Sequence, residues 1–250
     1  ELEEAEGLQM SVLKIKHGVL GQHHAKVADT LCDLAAIYGA QGHHADGEPL
    51  LRQAVKIREH KLGKEHPRVA DALHLLVASL DHRRRYDEAE PLARRALELR
   101  EAAFGPDHPK VAELLNSLAA LHDARDQHAE AAPLYERALA SLEQAHGAAH
   151  LHVAMTLTNL ASCYTALGRH DEARPLFDRA QKVYGKTCGL NHPFAALCLG
   201  QTARLLAAVG DDDQAMAYGE ISLNTLARAL GPEHPYTAMG MSNLAELLSA

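Results

Sequence analysis

Aromatic side chains are scarce in this sequence, at 4% of residues against 47% hydrophobic residues in all. A core without large rings must be built from Ala and Leu. That suits closely packed helices better than strands, which favour β-branched and aromatic residues. No apolar run approaches the ~18 residues that a membrane-spanning helix needs, so no membrane partner is expected. Cysteine is sparse too. Cys32, Cys163, Cys188 and Cys198 stand at scattered spacings without a Cys-x-x-Cys pair, which reads as reduced thiols in a cytoplasmic protein. Excess positive charge is also lacking. Residues 1–125 carry 17 Lys/Arg against 20 Asp/Glu, residues 126–250 carry 8 against 13, and the net charge is −8. Nucleic acid is therefore excluded as a partner, because phosphate binding needs a basic surface.

Catalytic signatures are missing as well. There is no Gly-rich phosphate loop, no nucleophile elbow and no His-Glu-x-x-His helix, so neither enzymatic activity nor a cofactor is expected.

What is present is a repeat. Gly-x-x-His recurs at Gly21, Gly63, Gly105, Gly147, Gly189 and Gly231, always 42 residues apart, and Ala stands seven residues after each Gly. This self-similarity predicts an all-α solenoid of antiparallel helix pairs, about twelve helices in all. The expected organisation is a lone second helix (1–20), five full units (21–62, 63–104, 105–146, 147–188, 189–230) and a lone first helix (231–250). Both ends fall in mid-unit without a polar capping helix, so the expected setting is a longer protein.

Within a unit, the first helix starts at the Pro that follows His in four cases (Pro67, Pro109, Pro193, Pro235), where the missing N–H costs nothing. It ends at Gly42, Gly168 or Gly210. Arg84 and Asp126 replace that Gly, and looser or differently shaped turns are expected there. The second helix opens on an acidic stretch such as Asp87-Glu88-Ala89-Glu90, in which Asp is placed to cap. Small residues recur at fixed positions (Ala35, Ala119, Ala161; Ala54, Ala96, Ala138) and let helix backbones approach closely.

Eighteen histidines raise the question of a metal. Six belong to the repeat column and recur too far apart to share an ion. The pairs His23/His24 and His43/His44 are adjacent and do not share a helix face. No metal site is expected. The run His82-Arg83-Arg84-Arg85 lies in a turn between helices and reads either as solvated charge or as a docking patch for an acidic partner.

Segments such as GPDHPKVAELLNSLAALH and RYDEAEPLARRALELREAAFG resemble the 42-residue tetratricopeptide repeats of kinesin light chains. The resemblance implies a right-handed superhelix whose first helices line a concave groove that accepts extended peptides. Its groove columns fall eight, eleven, twelve and fifteen residues after each Gly. The eighth column holds Asp29, Asp71 and Glu113, then Met155, Leu197 and Met239. The middle columns hold Cys32 and Asp33, His74 and Leu75, Asn116 and Ser117, Thr158 and Asn159, Gly200 and Gln201, and Asn243; Ser162 and Arg204 stand in the last. An Asn there would pin a peptide backbone through its donor and acceptor. The first zone reads as acidic and the second as apolar and Met-rich, so the expected partner is a protein or peptide with a basic end and apolar anchors. An adaptor is the leading reading. Alternatives are a structural subunit of a cytoskeletal or ciliary assembly, and the ligand-sensing arm of a signalling protein.

Overall fold

Each first helix is capped by the repeat histidine. The Nδ1 of His24, His66, His108, His150, His192 and His234 accepts the backbone N–H two residues on, at 3.1–3.3 Å. The neutral ring thus takes the place of the Ser or Asp oxygen that usually satisfies an orphan N–H at a helix start.

The structure is a computed structural model that describes residues 2–249. Among these residues there are twelve helices and no strand: α1 (Leu2–Leu20), α2 (Ala25–Ala40), α3 (His44–Leu62), α4 (Pro67–His82), α5 (Tyr86–Phe104), α6 (Pro109–Asp123), α7 (His128–His146), α8 (Leu151–Ala166), α9 (His170–Thr187), α10 (Pro193–Ala208), α11 (Asp212–Leu230) and α12 (Pro235–Ser249). Even-numbered helices are the first of each repeat and odd-numbered ones the second. Among the described residues no helix is long and apolar enough to cross a membrane. The four cysteines are free.

The chain divides into two compact units, up to Leu121 and from His122 onward. In the first, consecutive helices from α1 to α5 pack in order, and the first helices α2 and α4 also touch. In the second, α7 to α12 pack in order, with α8 against α10 and α10 against α12. The alanine columns lie at these contacts. Ala28, Ala54, Ala70 and Ala96 are fully buried in the first unit, and Ala138, Ala154, Ala161 and Ala180 in the second. Gly200 marks one of the closest approaches: a Cβ there would come within 2.9 Å of Ser222 Oγ on α11.

The turns inside the helix pairs depart from expectation. Arg84 and Asp126 adopt φ of 54° and 58°, the left-handed region in which Gly42, Gly168 and Gly210 sit at 72–81°. The residue after each of the five accepts the same constraint, donating its N–H to the carbonyl five residues back: His43 to Tyr38, Arg85 to Leu80, Gln127 to His122, Arg169 to Tyr164 and Asp211 to Leu206, at 2.8–3.0 Å. The two non-glycine turns are therefore not looser. The helices they join dictate the geometry, and the side chain is held in a conformation that costs about 1–2 kcal/mol.

The acidic stretches do not cap either. Asp87 lies in the first turn of α5, whose N-cap is Arg85 without a side-chain cap bond. Asp211, by contrast, does cap α11 by accepting the Gln214 N–H. The arginine run is spent inside the first unit: Arg83 and Arg85 both donate to the buried Glu48, and Arg85 also forks onto Glu88 at 2.7 Å. This leaves Arg84 exposed at the turn.

Candidate functional site

The residues of the expected groove lie on the even-numbered helices, and each unit presents its own set. In the first unit the carboxylates are not free. Asp29 on α2 receives Arg58 from α3 at 3.0 Å and a two-pronged contact from Arg68 at 3.1 Å. Arg100 on α5 donates to Asp71 on α4 at 3.2 Å and to Glu113 on α6 at 3.0 Å. Both arginines are buried, with side chains 7% and 4% exposed, and each also donates to a main-chain carbonyl, of Arg68 and Lys110 respectively. Lys16 in α1 stands in the same repeat position and reaches Thr30 Oγ1 at 2.6 Å.

This corrects the reading of the first zone as an open acidic surface. A charge buried this deeply needs partners, and Asp29, Asp71 and Glu113 supply them. The later repeats carry Leu142, Tyr184 and Leu226 where Arg58 and Arg100 stand, and there the eighth column turns apolar (Met155, Leu197, Met239). The contrast between the zones follows an internal match between second-helix and first-helix side chains. Counting 37 residues from each repeat Gly would have exposed the correlated change in the sequence.

His74 joins the same network. Its Nε2 lies 2.9 Å from Ser117 Oγ, which donates to the Glu113 carbonyl, and its Nδ1 lies 3.5 Å from Arg100. Since Ser117 spends its proton on the carbonyl, His74 donates from Nε2 and accepts at Nδ1, as a neutral ring. Burial and the Arg100 charge hold its pKa down at about 4. Cys32 is 6% exposed and packs into the core, so it is withdrawn from the candidate face; Asp33 beside it is exposed.

In the second unit the face is open. Met155 and Met239 are each 37% exposed, Asn159 and Arg204 are exposed, and Ser162, Leu197, Gln201 and Asn243 are half-buried. Arg204 lies 3.5 Å from Gln201. Thr158 is 8% exposed and bonds back to the Ala154 carbonyl at 2.9 Å, so it too is withdrawn. Its role is to satisfy its own helix, as buried hydroxyls do.

A second cluster went unseen in the sequence. Asp123, His128 and Cys163 present ligand-type atoms within 4.8 Å of one another. Burial and the nearby Asp123 push the Cys163 thiol up to about 12, so it is protonated at neutral pH and no nucleophile.

The tetratricopeptide repeat profile matches residues 26–101, 68–144 and 152–226. Among solved structures, the chain is similar to a Podosopora anserina chain described as a kinesin light chain with nearly identical TPR-like repeats. The two are 24% identical, with a TM-score of 0.67, over 83% of this chain and 98% of that one. BtubC (BKLC) from P. vanneervenii is 21% identical, with a TM-score of 0.73 over 94% of each chain. A Rap protein complexed with Competence and Sporulation Factor is 15% identical, with a TM-score of 0.58 over 96% of this chain and 73% of that one. No curated protein sequence matches.

Proposed function

This chain belongs to the tetratricopeptide repeat family, with kinesin light chain-like units, and from that premise we propose that it is a non-enzymatic scaffold that holds an extended peptide segment against its first helices. One observation carries the reading: on α8 and α12 of the second unit, exposed Met155 and Met239 alternate with the amides Asn159 and Asn243 one helical turn further on. Exposed thioether side chains adapt to varied apolar anchors, and amides can pair with the N–H and C=O of a peptide backbone. Leu197 and Gln201 continue the same alternation on α10. A protein of the same fold is described as complexed with Competence and Sporulation Factor, which supports a ligand-holding role for an array of this kind.

The first unit asks less of a ligand's charge than its sequence suggests, because its carboxylates already pair with Arg58 and Arg100. Asp33, exposed on α2, is the group we assign to a basic ligand residue. Asn116 and Ser117 in the first unit, and Ser162 in the second, are proposed as backbone-reading positions.

Peptides selected from a displayed random library test the proposal by fluorescence anisotropy. Binding should be micromolar, as several weak contacts give. Replacing both Asn159 and Asn243 by Ala should weaken it at least tenfold, while Arg174→Glu, at an exposed position of α9, should not. If only folded partners bind, and the double substitution changes nothing, the structural-subunit reading takes over.

A further inference from the structure

The turn between α6 and α7 brings Asp123, the last residue of α6, against His128, the first of α7: Oδ1 and Nδ1 are 2.9 Å apart. Cys163 on α8 reaches the same point, its thiol donating to the His128 carbonyl at 3.2 Å. The repeat supplies internal controls. The three corresponding positions hold Gly39, His44 and Ser79; then Asp81, Tyr86 and Leu121; then Thr165, His170 and Leu205. Ser79 Oγ donates to the His44 carbonyl at 3.1 Å, so the backbone frame is common property. Only the Asp123 set, among these four, fills all three positions with groups that bind transition metals.

We propose that Asp123, His128 and Cys163 form a binding site for one divalent transition-metal ion of the zinc class. A thiolate, an imidazole and a carboxylate are the donor types zinc takes in four-coordinate sites, and water completes the set. Binding displaces the Cys163 thiol proton to solvent. Before binding, the ring proton lies on Nδ1, because the Asp123 carboxylate can only accept; binding moves that proton to Nε2 through solvent and leaves Nδ1 to the ion. Nε2 then faces Asp126 Oδ1, 3.9 Å away, as the outer carboxylate that often orients a ligating histidine. The thiolate and carboxylate charges balance the ion, so no net charge is left beside the buried Cys163. The ion would clamp α8 to the α6–α7 turn, and Asp123 and His128, about a quarter exposed, leave it a way in.

Cobalt(II) and zinc, added to the full chain under reducing conditions, test this. Cobalt should give a thiolate charge-transfer band and the visible absorption of a four-coordinate ion, saturating at one ion per chain and bleached by zinc. Cys163→Ser should abolish the band yet fold, since Ser79 occupies the same place in an earlier repeat; circular dichroism checks the fold. His128→Gln should weaken cobalt binding about tenfold or more, and Cys198→Ser should leave it unchanged. A band that survives Cys163→Ser, or cobalt taken up by the histidines with no thiolate band, overturns the proposal.

Discussion

Arg100 lies 3.2 Å from Asp71, in a pocket where the guanidinium is almost wholly removed from water. Glu113 closes the other side at 3.0 Å. Arg100→Ala should therefore cost about 3 kcal/mol, near the lower end for breaking a buried pair because both carboxylates can rehydrate. Replacing the three together, Arg100→Leu with Asp71→Leu and Glu113→Met, installs the combination that Leu226 forms with Leu197 and Met239 and should recover most of that loss. Urea denaturation of the two variants decides it; a triple variant no more stable than Arg100→Ala would refute the internal match.

Arg84 carries a left-handed backbone conformation in a turn that elsewhere uses glycine. Arg84→Gly should stabilise by about 0.5–1 kcal/mol, the strain relieved less the extra freedom of the unfolded chain. Gly168→Ala should destabilise by about 1 kcal/mol for the converse reason. Thermal melts that ranked the two in the opposite order would contradict this account.

Acid should destabilise the array. The pKa of His74 is lowered from 6.5 to about 4, and those of His44 and His150 are lowered by burial. The folded state thus binds protons less readily than the unfolded one. The stability these groups contribute is fully present above pH 6.5 and is lost as pH falls towards 4. Protonating His150 also removes the Nδ1 lone pair that caps its helix. The urea midpoint should fall between pH 6.5 and 4, by up to about 3 kcal/mol from His74. His74→Gln, which can still donate to Ser117, should flatten the curve; an unchanged slope would remove His74 from the explanation.

Ala161 is fully buried on α8, whereas Ala245 on α12 is exposed. Ala161→Leu should cost about 1–3 kcal/mol by overpacking, and Ala245→Leu close to nothing. Ala119→Leu, on α6, should behave like Ala161→Leu. Equal losses at Ala161 and Ala245 in chemical denaturation would argue against stacked helix pairs.

The period, the helix pairs and the small-residue columns were legible in the sequence because each is a local, repeated property. A helix start is marked by the Pro after the repeat His, and close packing needs only an Ala at a constant interval. The candidate face was legible in part. The columns fall on the first helices, but their charge was misread, since an Asp in a row of Asp looks free until its partner is known.

Sequence alone determined an all-helical array of 42-residue units, because short-range spacing dictates both helix and turn. Tertiary structure alone decided three things: that Arg58 and Arg100 neutralise Asp29, Asp71 and Glu113; that Arg84 and Asp126 submit to a glycine turn; and that Cys163 meets Asp123 and His128. Each is a contact or constraint set by how packed helices meet. Its energy depends on distance and burial, which residue spacing along the chain does not record.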